Sequence, residues 1–245
     1  MRFRLHKIAC TQTDTAYTCK GEALGFAYVR PQSVNGNLGG IPFAGPDGVL
    51  GTTDDYYETD EIAFDPISVT NHNNLWHRGF PLQLLSKRKS KKIKKNICPD
   101  IQADFWNGDP DIDAVCRMEY APECKFDNNF FPFSSNKFSP FNSQNTFLSK
   151  KVLKDYFLFP HIGRMDDIWA SYYVESLGFK VVYSEASVYQ DRNEHDLTID
   201  FKKEVIGYEN NVNLLNQLSL NPNNILNFIP ERSKDAFRLY QKHFL

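Results

Sequence analysis

The chain has 245 residues, 41% of them hydrophobic, enough to bury one sizeable core as a single large domain or two small ones. No apolar run reaches the length of a membrane span, and Met1-Arg2-Phe3-Arg4 opens into polar sequence, so neither a span nor a secretory leader is expected. The formal net charge is −2, and five cysteines, an odd count without Cys-x-x-Cys spacing, point to reduced thiols in a cytoplasmic protein and away from a zinc site.

Residues 1–55 are loop-rich. Ser33 to Gly40 and Gly45 to Gly48 have the composition of turns, and the apolar strand, Gly-rich turn and amphipathic helix of a nucleotide-binding start are missing. Asp47 to Asp55 superficially resembles a calcium-binding turn but lacks the EF-hand spacing. Residues 56–196 form the expected core, and 197–245 a set of C-terminal helices, all within one domain. Seven of the 28 Lys and Arg residues crowd into Ser86 to Lys95, leaving 21 basic against 30 acidic residues elsewhere. A nucleic-acid binder spreads its basic residues over a face, so this run reads as a solvated loop and no nucleic-acid partner is expected.

Ile112 to Met118 has the composition of a strand, and Asn128 to Pro140 that of a loop. Asn145 to Leu148 suggests a short strand, followed by a helix capped by Ser149 and running from Lys150 to Phe157. Asn142, Gln144 and Asn145 suit the directional hydrogen bonding of sugar hydroxyls, and equally suit an Asx-type turn. Met165, Ile168, Trp169, Tyr172 and Tyr173 recur at helical spacing, and Gly178 stops that helix just past Leu177. Phe179 to Tyr183 then reads as a buried strand, and Ser187 to Tyr189 as another. After it lie Arg192, able to fork onto a diphosphate or to pair locally, and His195, a metal-ligand candidate beside a helix cap at Asp196. The C-terminal stripe of Phe201, Val205, Ile206, Val212, Leu215 and Leu218 is helical, breaks at Asn221-Pro222, and resumes with Ala236, Phe237, Tyr240 and Phe244.

The helix that starts at Gly163-Arg164-Met165-Asp166-Asp167-Ile168-Trp169 places two carboxylates in its first turn. Such residues cap helices and offset the macrodipole, and they also serve as acids and bases. Four segments in one order bear on the choice: Gly79-Phe80-Pro81, Ala103 to Ala114, Pro140 to Thr146, and Gly163-Arg164-x-Asp166-Asp167-x-Trp169-Ala170. Together they resemble the glycosyltransferase group of the reversibly glycosylated polypeptides (UDP-arabinopyranose mutases) and, more distantly, the STELLO proteins.

The resemblance implies an α/β, GT-A-like (nucleotide-diphospho-sugar transferase) fold. Its mixed, mainly parallel sheet would be flanked by helices, with a divergent or abbreviated N-terminal half and a helical C-terminus. It implies transfer of a sugar from a nucleotide-sugar donor to an unidentified acceptor, with inversion, assisted by Mn²⁺ or Mg²⁺. Asp167 would be the base, Asp166 its orienting neighbour, and Trp106, Asn142, Gln144, Asn145, Arg164 and Arg192 the donor and sugar contacts. The cation would fall to Asp60, Glu61 and His195, although the usual third acidic position is Ile62. Mutase activity is a second reading. Its relatives carry an Arg in Gly-(aromatic)-Pro-x-x-x-Arg, where this chain has Leu85 and, nearest, Arg88. A non-catalytic sugar- or partner-binding descendant is a third.

Overall fold

The computed structural model describes residues 9–13, 16–20, 53–191 and 196–244. The chain divides into two compact units, residues 1–39 and 40–245. In the first, β1 (Ala9–Thr13) and β2 (Ala16–Lys20) pair antiparallel, with Ala9 opposite Lys20. The turn-rich stretches expected at 33–40 and 45–48, and most of the calcium-like run, lie outside the described residues.

The second unit is organised by a mixed sheet of β3 (Thr53–Glu58), β4 (Lys91–Asn96), β5 (Ile101–Gly108), β6 (Phe133–Ser135), β7 (Thr146–Leu148) and β8 (Val181–Gln190). Their spatial order is β4-β3-β6-β8-β5-β7. The four central strands form two parallel pairs, β3–β6 and β5–β8, which meet antiparallel through Phe133 opposite Tyr183. The edge strands β4 and β7 pair antiparallel with β3 and β5. β5 is buried over nearly its whole length, as a strand covered on both faces must be. Phe133 lies at the centre of the aromatic core, stacked on Tyr183 at 5.3 Å and on Phe131 at 5.5 Å, and edge-on to Tyr57 at 5.6 Å.

Among the described residues four α-helices flank the sheet: α1 (Ala114–Glu119), α2 (Asp166–Ser176), α3 (Leu197–Leu220) and α4 (Glu231–Lys242). In and just before α2, Met165, Ile168, Trp169, Tyr172 and Tyr173 are all buried, as their spacing predicts. Leu177 closes the helix, and Gly178 follows at φ +92°. The break at Asn221-Pro222 separates α3 from a short 3-10 helix, Pro222–Asn227, before α4 begins at Glu231. No helix among the described residues is long and apolar enough to cross a membrane.

Several local expectations are corrected. Ile112 to Met118 is not a strand, because Asp113 caps α1 by accepting from the Cys116 N–H at 2.8 Å. The basic run is not all loop, since Lys91–Asn96 is the edge strand β4. Lys92 and Lys94 there converge on Asp55, while Lys95 sits 4.2 Å from the centre of the Tyr56 ring. Residues 150–155 are consecutive turns rather than a helix. Val152 N–H bonds the Ser149 carbonyl at 2.9 Å and Asp155 N–H the Val152 carbonyl at 2.9 Å, while the Ser149 hydroxyl is buried with no hydrogen-bond partner among the described residues. The loop 128–140 contains β6, and Val181–Tyr183 and Ser187–Tyr189 belong to one strand, β8, with Phe179 and Lys180 just before it.

Asp113 carries a measurable consequence of this arrangement. Burial pushes its carboxyl from 3.8 up to about 7, helped by Glu204 and Asp65 and opposed by the Cys116 N–H and the Trp76 indole, which donates at 2.7 Å. The folded state therefore keeps a proton between about pH 4 and 7 that the unfolded chain releases, so this group's contribution to stability falls as pH rises through that window. Asp113→Asn should flatten that part of the pH–stability curve in urea titrations between pH 4 and 7. An unchanged slope would contradict the assignment.

Candidate functional site

The site begins at the loop before Pro81. Gly79 adopts φ +93°, and a Cβ there would stand 2.3 Å from the Ile168 Cγ2 on α2, so only glycine fits. Its carbonyl accepts from the Tyr172 hydroxyl at 2.8 Å and from Asn211 Nδ2 at 2.7 Å, joining the loop to α2 and α3. Gly163, at φ +66°, lets the other approach to α2 pass against the backbone of Lys203, where a Cβ would meet the carbonyl at 2.1 Å.

That scaffold delivers Arg78 into the protein interior between two carboxylates. Its Nε and Nη2 donate to Asp111 Oδ1 and Oδ2, both at 2.9 Å. Nη1 and Nη2 donate to Asp167 Oδ1 and Oδ2 at 2.9 and 3.0 Å, and Nη1 also bonds the Arg164 carbonyl. All five guanidinium N–H groups are thereby used. Burial opposes the charge, but Asp111 and Asp167 outweigh it and hold the group well above the ordinary arginine range. The carboxylates are completed by Asn142 Nδ2, which donates to Asp111 Oδ2 at 2.9 Å, and by the Ser143 N–H, which donates to Asp167 Oδ2 at 3.1 Å.

Asp166 is placed differently. It is half-buried, its Oδ1 accepts only the Asp167 N–H at 3.0 Å, and no cation pairs with it among the described residues. Burial, followed by the Asp167 charge, raises its carboxyl above the ordinary range, with the Asp167 N–H and Arg78 partly opposing. Tyr156 lies nearby, stacked on Phe141 at 5.6 Å. Its hydroxyl is buried without a hydrogen-bond partner among the described residues, and burial together with Asp167 and Asp166 holds its proton firmly. Gln144 donates its N–H to Asn142 Oδ1 at 2.8 Å but leaves a buried, unpartnered Oε1. A carboxyl of raised basicity suits a proton acceptor.

The other expected residues are placed elsewhere. Trp106 is buried and gives its indole N–H to the Asp109 carbonyl at 3.0 Å, so it offers no open face to a sugar. With His77 and Asn142 it lines a cavity of only about 10 Å³, the size of one water. Asn145 ties Phe105 to Ser187, at 3.1 and 2.9 Å, and so joins β5 to β8. Arg164 is occupied by Glu204 at 2.7 Å and Asp200 at 3.2 Å, both on α3. Asp60 is exposed, and the nearest ion-pair partner of Glu61 is Lys87 at 3.8 Å. Among the described residues no group of three or more His, Cys, Asp or Glu could hold a metal ion, and His195, the third ligand expected beside Asp60 and Glu61, is not one of them. Arg192 and His195 lie outside the described residues.

Sequence reasoning passed over Arg78, Asp111 and Tyr156. The first two had a signal: an arginine directly before Gly79-Phe80-Pro81, and the alternating acids Asp109, Asp111 and Asp113. A scan against protein-family models gives no match for the chain, and a comparison with curated proteins gives none.

Because the guanidinium fork is fully used and buried, Arg78→Lys should cost roughly 3–5 kcal/mol, since an ammonium cannot replace the two-sided fork and leaves carboxylates unpaired. Chemical denaturation measures this, and a loss under about 1 kcal/mol would show that the network is incidental.

Proposed function

We propose that this protein is an inverting glycosyltransferase in which Asp166, rather than Asp167, takes the proton of the acceptor hydroxyl. The observation that carries the proposal is the divergence of two adjacent carboxylates. Asp167 is ion-paired through both oxygens to Arg78, while Asp166 has no cation partner among the described residues and a carboxyl of raised pKa. A carboxyl raised by burial and by a neighbouring charge is a recurrent mark of acid–base sites. The four-segment resemblance supplies the reaction class, and the electrostatics assigns the roles within it.

In the proposed step the acceptor oxygen bonds to the anomeric carbon while its proton passes to an Asp166 oxygen. The bond from that carbon to the donor's phosphate oxygen breaks, and the nucleoside diphosphate leaves with the electron pair. Asp167 and Arg78 position the start of α2. Asp60 and Glu61, with His195 outside the described residues, would be the groups to hold Mn²⁺ or Mg²⁺, which would supply positive charge to the departing diphosphate. The mutase reading gains no support from Arg88, whose guanidinium is occupied by Asp65 at 2.8 Å and by the carbonyls of Leu75 and Leu85.

The test is release of nucleoside diphosphate from a panel of UDP- and GDP-sugars, with Mn²⁺ and with EDTA. Asp166→Asn should fold normally and lose about 10²-fold or more in rate. Asp167→Asn should act mainly through stability, by loosening the Arg78 fork. Wild-type turnover in a folded Asp166→Asn protein would overturn the assignment of the base, and no turnover of any donor by the wild type would favour a binding protein.

A further inference from the structure

At the opposite end of α2 from Asp166 lies a cavity of about 390 Å³, within the range of small-molecule sites. Its wall includes Glu175, Lys137 and Lys180, together with Tyr56, Phe138 and Phe179. Both Glu175 oxygens accept from one donor, the Ser139 N–H, at 3.2 and 3.0 Å. Burial holds the Glu175 carboxyl well above its ordinary range, opposed by the Ser139 N–H, so a ligand ammonium beside it would supply the positive charge that favours its ionised form. The other titratable groups around it are Tyr172 and Tyr183, both raised by burial and then by Glu175 itself. The α2 carboxyl end adds its partial negative charge to the same wall.

One acid and two ammonium groups therefore line a single cavity, and among the described residues none is within ion-pair distance of an opposite charge. A ligand carrying both signs would satisfy both walls at once. We propose that this cavity binds a small zwitterion of the α-amino acid class, its ammonium on Glu175 and its carboxylate on Lys137 and Lys180. Tyr56, Phe138 and Phe179 supply apolar surface for its side chain. A cation alone would leave the two lysines unmet, and an anion alone would face the Glu175 wall. The assignment is independent of the sugar-transfer reading, since the cavity shares no lining residue with the Asp166 site.

The probes are the proteinogenic L-amino acids, screened one at a time by thermal shift on the full chain and followed by calorimetry. At least one should raise Tm, since a ligand of the folded state alone stabilises it. Its amide, lacking the carboxylate, and its N-acetyl form, lacking the ammonium, should each bind about tenfold more weakly or worse, about the effect of one lost charge contact. Glu175→Gln keeps an acceptor for Ser139 and should weaken binding by at least about tenfold. Lys180→Met alters an exposed side chain and should weaken binding while leaving stability unchanged. No amino acid raising Tm, equal binding in a folded Glu175→Gln protein, or an amide that matches its parent acid would each overturn the proposal.

Discussion

The second unit depends on one buried guanidinium. Arg78 connects three segments distant in sequence: its own loop, the Asp111 segment ahead of α1, and the first turn of α2 at Asp167. Burying such a charge costs several kcal/mol unless every donor finds an acceptor, and here all five do. The glycines make that geometry accessible, since any Cβ at Gly79 or Gly163 would push the loops off α2 and α3. Arg164 extends the network, giving its carbonyl to Arg78 and its side chain to Glu204, which in turn accepts from the Ala114 N–H and the Tyr208 hydroxyl.

This network separates the roles of two neighbouring acids. Asp167 is held by both oxygens against Arg78. Asp166 sits one residue earlier on the helix, where 100° of rotation turns it out of the fork and leaves it facing only partial burial. The anion beside it makes losing a proton harder, so the group gains basicity from the arrangement that immobilises its neighbour. The same segment that completes the network, Ser139 to Ser143, also reaches Glu175 through the Ser139 N–H, so the two ends of α2 share one strap of chain.

What the sequence made legible was periodic. The α2 stripe, its glycine stop, the buried start of β8 and the helical C-terminus follow from apolar spacing, although α2 is buried all round and Phe201 on α3 is exposed. Short elements were not legible in this way. The six residues of α1 are too few to show a period, and its helix rests on one Asp113 cap and on a Glu204 bond from α3. Lys92 and Lys94 of β4 share one face, but the partners of the strand's lysines, Asp55 and the Tyr56 ring, lie nearly 40 residues away in the chain. The site was half legible. The acidic pair and the polar loop at 142–145 were found, but Asn142 and Asn145 proved to be spent on Asp111, Phe105 and Ser187. Which carboxylate was free could not be read without Arg78, whose partners lie 33 and 89 positions downstream.

The central claim is that burial, and then the Asp167 charge, hold the Asp166 carboxyl above its ordinary range. Titration of the Asp166 side-chain carboxyl by ¹³C NMR, in the wild type and in Asp167→Asn, tests it most directly. The account predicts a wild-type midpoint above the ordinary 3.8, falling in the variant as the neighbouring charge is removed. A wild-type midpoint at or below 3.8, unmoved by the substitution, would contradict it.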